Sequence, residues 1–81
     1  MGLLLRSNSK GIHVRKLQLA LNFLTVSSRP LKPDGIFGPK TRAAVINFQN
    51  KSNLTADGLF GPKSAQALTN TTLFTLVKRK K

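Results

Sequence analysis

The sequence predicts an all-α fold: a small three-helix bundle with two repeated units, each an Asp-Gly turn running into a Gly-Pro helix start. Three observations lead there. The stretch Asp34-Gly35-Ile36-Phe37-Gly38-Pro39-Lys40 returns 23 residues later as Asp57-Gly58-Leu59-Phe60-Gly61-Pro62-Lys63, with Leu for Ile as the single change. A spacing of that size marks one supersecondary unit used twice. Apolar residues also recur at helical spacing before and after the first copy. Finally, the chain has 81 residues and no Cys. One domain over 1–81 must then rest on an aliphatic and phenylalanine core, without disulfides or thiolate metal sites.

Residues 1–11 hold an apolar triplet, Leu3 to Leu5, and then a polar loop from Arg6 to Gly11. The triplet is far too short for a signal-peptide core or a membrane span. Arg6 stands where a myristoylation pattern needs Ser or Thr. The first helix is expected to begin near Ile12 or His13, with Val14, Leu17, Leu21 and Leu24 as its core stripe. Ala20 flanks that stripe, and Leu19 and Phe23 lie on a second face that something else must cover. His13 is the only His. One imidazole without Cys or carboxylate company makes no metal site, so it reads as a surface or cap residue.

Two prolines and two serines make residues 25–33 a connection. In each repeated turn, Asp can accept a hydrogen bond from its own backbone two residues on, and Gly supplies the freedom a tight turn needs. The apolar pair that follows plugs into a core. Gly then sits near the N-cap and Pro at the first helical position, where a missing N–H costs nothing.

The second helix is expected from about Pro39 to Gln49, burying Thr41, Ala44, Val45 and Phe48 on one face. Asn53 is expected as a left-handed cap, with Leu54 anchoring the loop beyond. The third helix is expected from about Pro62 to Thr69, with Leu68 inward. The core then spans about 5–70. Residues 71–77 are β-prone; a strand and a longer third helix are both open, with Leu73, Phe74 or Leu76 packed on the body. Lys78-Arg79-Lys80-Lys81 is a basic tail.

The charge balance is extreme, with 14 Lys plus Arg against two acids and a net charge of +12. Both acids, Asp34 and Asp57, occupy the same place in the repeated turn. Such a field draws the chain towards anionic polymers: nucleic acid, an anionic membrane or an anionic cell wall. Catalysis is not expected. Glycoside hydrolysis usually needs two carboxyl groups facing each other across a bond, and the only two here are tied to turns. Zinc hydrolases need several His, Asp, Glu or Cys ligands. No nucleophile elbow or Gly-rich phosphate loop is present.

The repeated helix starts favour binding. Each Gly-Pro start points helix N–H groups and a positive dipole end outward. Lys40 and Arg42 sit beside the first start and Lys63 beside the second, a setting suited to carboxylates or phosphates. Phe37 and Phe60 either present a face to sugar rings or belong to the core. With no Trp or Tyr, sugar stacking has a small part, and hydrogen bonding and charge should dominate.

The order Gly11, Val14, Leu17-Gln18, Leu21, Asp34 to Thr41, Ala44-Val45, Phe48-Gln49, Leu54, Asp57-Gly58, Gly61-Pro62 and Leu68 closely resembles the peptidoglycan-binding domain. That is the small three-helix module attached to many bacterial and phage cell-wall hydrolases, and the resemblance covers roughly residues 5–69. Three positions depart from it. His13 stands where the family often has an acid, Asn53 where it frequently has Gly, and Ala65 where it frequently has Trp.

The resemblance implies non-catalytic binding of bacterial peptidoglycan, through its glycan or its stem peptide. The chain would stand alone or serve as the targeting module of a linked or associated hydrolase domain, with no cofactor and no metal. Its place would be the bacterial cell wall or periplasm, reached by phage or by a host lysis route. The implied binding set is Asp34, Gly35, Phe37, Lys40 and Arg42 in the first unit, with Asp57, Phe60 and Lys63 in the second. The alternative is a cationic polyanion binder that takes nucleic acid, lipopolysaccharide or an anionic membrane through the basic tail. Against nucleic acid, the cations are spread along the chain and not set on one helix.

Overall fold

The computed structural model describes residues 4–24 and 30–79, the stretch 74–79 through its backbone alone. Three helices follow in order, α1 (Ile12–Leu24), α2 (Pro39–Lys51) and α3 (Pro62–Arg79). The fold is the expected all-α three-helix bundle.

In α1, Val14, Leu17 and Leu21 are buried, and Gln18 is buried among them. Leu24 packs partly buried against the same core. On the second face of α1, Leu19 is 42% exposed, whereas Phe23 is half-buried. Asn22 pins the returning chain: its Nδ2 donates to the Leu31 carbonyl at 2.8 Å, and its Oδ1 accepts the Leu31 N–H at 2.8 Å. The stretch 25–29 of the expected connection lies outside the described residues.

Helix α2 starts as its sequence demands. Gly38 is the N-cap in extended backbone, no side chain caps it, and Pro39 opens the helix. Thr41, Val45, Phe48 and Gln49 form the buried face, with Ala44 partly buried beside them. The helix runs two residues past the expected end at Gln49. Asn53 closes it with φ of 59°, the left-handed conformation expected of it. The Asn53 N–H reaches the Asn50 carbonyl at 3.2 Å and the Leu54 N–H reaches the Gln49 carbonyl at 2.9 Å. These are the two bonds of a Schellman end, which take up carbonyls that the helix would otherwise leave unpaired.

Helix α3 corrects one expectation, because it runs on to Arg79 instead of ending near Thr69. Residues 71–77 are therefore helix and not strand. The Ala65 to Leu68 stretch starts a helix readily, and each further turn adds hydrogen bonds at little cost once the first has formed. A lone strand with no sheet to join would leave its backbone groups unpaired. Leu73 is 57% exposed, so it does not supply the expected packing. The side chains of Phe74 and Leu76, and the tail residues Lys80 and Lys81, lie outside the described residues.

The N-terminal segment is a strap across both repeated turns. Leu5 and Phe60 exchange backbone hydrogen bonds at 2.9 and 2.8 Å. Asn8 N–H donates to the Phe37 carbonyl at 3.0 Å, Phe37 N–H to the Ser9 carbonyl at 2.9 Å, and Gly11 N–H to the Gly35 carbonyl at 2.9 Å. Leu5 thereby enters a core with Val14, Leu17, Leu21, Phe37, Val45, Phe48 and Phe60. Strap, turns and helices thus share one apolar centre, which sets the helix starts in place.

Candidate functional site

Each repeated turn is gripped by a buried glutamine from the preceding helix. In the first, Gln18 Oε1 accepts the Gly35 N–H at 3.0 Å. Its Nε2 faces Asp34 Oδ1 at 3.2 Å, the Ile36 carbonyl at 3.0 Å and Thr41 Oγ1 at 3.0 Å. Two hydrogens serve three acceptors, so one is shared. In the second, Gln49 Oε1 accepts the Gly58 N–H at 3.0 Å. Its Nε2 faces Asp57 Oδ1 at 3.2 Å, the Leu59 carbonyl at 2.9 Å and Ser64 Oγ at 3.1 Å. Both glutamines are 1% exposed. A buried amide is tolerable only when its donors and acceptor are all occupied, and here they are.

The aspartates complete the turns locally. Asp34 Oδ1 accepts the Ile36 N–H at 3.0 Å, and Asp57 Oδ1 accepts the Leu59 N–H at 2.9 Å. The Ile36 N–H, then the Gln18 amide, hold the Asp34 carboxyl below its ordinary value, with Lys32 adding a smaller pull. Gly35 and Gly58 have φ of 77° and 76°, the left-handed region where a side chain is strained. Their surroundings differ. A Cβ on Gly35 would stand 3.0 Å from the Gly11 carbonyl oxygen, whereas one on Gly58 would stand 3.0 Å from Arg42 Nε. Arg42 therefore lies across the second turn although it belongs to the first helix start.

The structure divides the expected binding residues by depth. Phe37 is 1% exposed and Phe60 6%, so both rings are core and offer no face to a sugar. Gly35 and Gly58 are buried. Asp34 and Asp57 reach the surface, but each holds its own turn and its glutamine. Lys40, Arg42 and Lys63 are exposed beside the starts of α2 and α3. Sequence reasoning missed the part played by Gln18 and Gln49. The available signal was a hydroxyl seven residues after each Asp, Thr41 and Ser64, matched by a Gln beside a core residue in each preceding helix.

Among the described residues, no group of three or more His, Cys, Asp or Glu is placed to hold a metal. No described helix is long and apolar enough to cross a membrane.

The peptidoglycan binding domain family matches residues 10–68, a stretch that contains both gripped turns. Two solved structures are similar over 86% of this chain. One is the peptidoglycan-binding protein from Clostridioides difficile in complex with glutamine hydroxamate, at 34% identity and a TM-score of 0.78. The other is the SleB N-terminal domain, at 36% identity and a TM-score of 0.79. The chain spans 42% of the first and 93% of the second. No curated protein matches.

Proposed function

The chain belongs to the peptidoglycan-binding domain family, and on that premise we propose that it holds bacterial cell-wall peptidoglycan without cutting it. The observation that carries this reading is the pair of glutamine-gripped turns inside the matched stretch. They use both carboxylates of the chain to set two helix starts, and so leave no free acid pair for hydrolysis. What faces outward at those starts is cationic: Lys40 and Arg42 on α2, Lys63 on α3.

Anionic groups of the wall suit that surface. Stem-peptide carboxylates, or phosphates of a wall polymer, would meet lysine or arginine beside exposed helix N–H groups, where the dipole also favours negative charge. With both Phe rings buried, the sugar itself is recognised mainly by hydrogen bonding. The module acts in the cell wall or periplasm, where its ligand is, and serves a hydrolase domain that is joined to it or works beside it. The basic residues from Lys78 to Lys81 add a general attraction to any polyanion.

A pull-down tests this. Purified sacculi stripped of teichoic acid and protein should retain the chain and release no reducing ends or free amines, while heparin beads should lose it as salt rises. Equal retention on sacculi and heparin at every salt concentration would leave only an unspecific polycation.

A further inference from the structure

A groove of about 510 Å³ runs along one flank of α2. From α2 it is lined by Lys40, Ala44, Asn47, Phe48 and Lys51, and facing them are Leu21 and Leu31. The spacing of Lys40, Ala44, Asn47 and Lys51 is four, three and four residues, one continuous stripe of a helix. Lys51 follows Lys40 by 11 positions, roughly 16 Å at the helical rise. Cations thus stand at both ends of an apolar trough, and neither aspartate of the chain lines it.

The two ends are electrostatically open to anions. At the Lys40 end, Gly38 caps α2 without a side-chain hydrogen bond, so no side chain offsets the positive end of the helix dipole beside Lys40. At the Lys51 end, the Phe48, Gln49 and Asn50 carbonyls are bonded to the N–H groups of Ser52, Asn53 and Leu54. The Lys51 ammonium offsets the negative end of the dipole that remains there. Between the ends, Asn47 offers an exposed amide, able to donate to and accept from a peptide backbone. The Asn22 amide also borders the groove, but it is occupied by Leu31.

We propose that this groove binds a short extended peptide that carries two carboxylates, one on Lys40 and one on Lys51, with Asn47 bonding the backbone between them. An extended chain rises about 3.4 Å per residue, so four to five residues span the two lysines. Small aliphatic side chains fit against Ala44 and Phe48. The proposal rests on the peptidoglycan reading above and narrows it to the stem peptide, against the glycan.

The experiment titrates a synthetic stem tetrapeptide with free carboxylates into the isotope-labelled full chain and follows the backbone amides by NMR. Shifts should concentrate on Lys40, Ala44, Asn47 and Lys51. Amidating the peptide carboxylates should weaken binding about tenfold or more, because both ion pairs, with Lys40 and with Lys51, are lost at once. Lys40→Gln and Lys51→Gln should each weaken it roughly three- to fivefold, as fits partly exposed ion pairs, while Lys16→Gln leaves it unchanged. Shifts that lie elsewhere, equal binding of the amidated peptide, or equal loss in Lys16→Gln would overturn the proposal. So would the same shifts from glycan strands stripped of peptide. Intact sacculi, tested in parallel, separate the two levels. Retention there without groove shifts from the peptide removes this proposal alone, and no retention removes the peptidoglycan reading with it.

Discussion

Gln18 accepts the Gly35 N–H at 3.0 Å from inside the bundle, and this contact recurs between Gln49 and Gly58 at the same distance. A side chain on one helix thereby fixes the turn that starts the next. The chain applies the device at α1 to α2 and again at α2 to α3, so the geometry of both turns depends on two amides.

Replacing either glutamine by leucine should be costly. Gln18→Leu leaves the buried Gly35 N–H without its acceptor and strands Thr41 Oγ1, and the loss should be about 2–3 kcal/mol. Gln49→Leu should cost about the same through Gly58 and Ser64. Urea midpoints measure both. Gln18→Glu should be no milder, since a carboxylate cannot donate to Asp34, Ile36 or Thr41.

The two turn glycines should respond unequally. Gly35→Ala forces a Cβ to within 3.0 Å of a backbone oxygen on Gly11, whereas Gly58→Ala meets the flexible Arg42 side chain. Both also pay for positive φ, so Gly58→Ala should cost about 1 kcal/mol and Gly35→Ala more. Thermal melting of the pair checks the order. Equal losses would mean that the Gly11 strap yields as easily as a side chain.

Acid should weaken the fold through Asp34. Its carboxyl is held below the ordinary 3.8 in the folded state, chiefly by the Ile36 N–H and then by Gln18. A group with a depressed folded pKa contributes stability above its unfolded value and loses it as pH falls through the folded value. Stability should therefore drop as pH falls from about 4 downwards. Asp34→Asn should flatten that part of the curve, measured by urea unfolding at a series of pH values.

Much of this was legible in the sequence because it is local. The repeat announced two turns with positive φ and two Pro-started helices, and the 3.6-residue pattern located Val14, Leu17, Leu21, Val45 and Phe48 in the core. Asn53 was legible as a cap for the same reason. The glutamine grips were not, since whether a Gln on an apolar stripe is buried depends on a partner sixteen or eight residues away. The strap was hidden too: Leu5 pairs with Phe60 across most of the chain, and no periodicity records such a pairing. The length of α3 was ambiguous because β-branched residues give only a weak bias that an established helix overrides. Of the expected binding residues, Lys40, Arg42 and Lys63 lie exposed at the helix starts where the sequence puts them, while the depth of Phe37 and Phe60 depends on packing that the sequence left open.

Whether the cations at the helix starts form a site is measured by retention on purified sacculi at about 0.05 and 0.5 M salt, on either side of a Debye length of about 10 Å. The variants compared are Lys40→Ala, Lys63→Ala and Lys16→Ala. Site-bound cations act at contact distance and resist screening, while a diffuse field does not. Lys40→Ala and Lys63→Ala should lose more retention than Lys16→Ala at high salt, with wild-type chain still held. Equal losses for all three variants at both salts would contradict it.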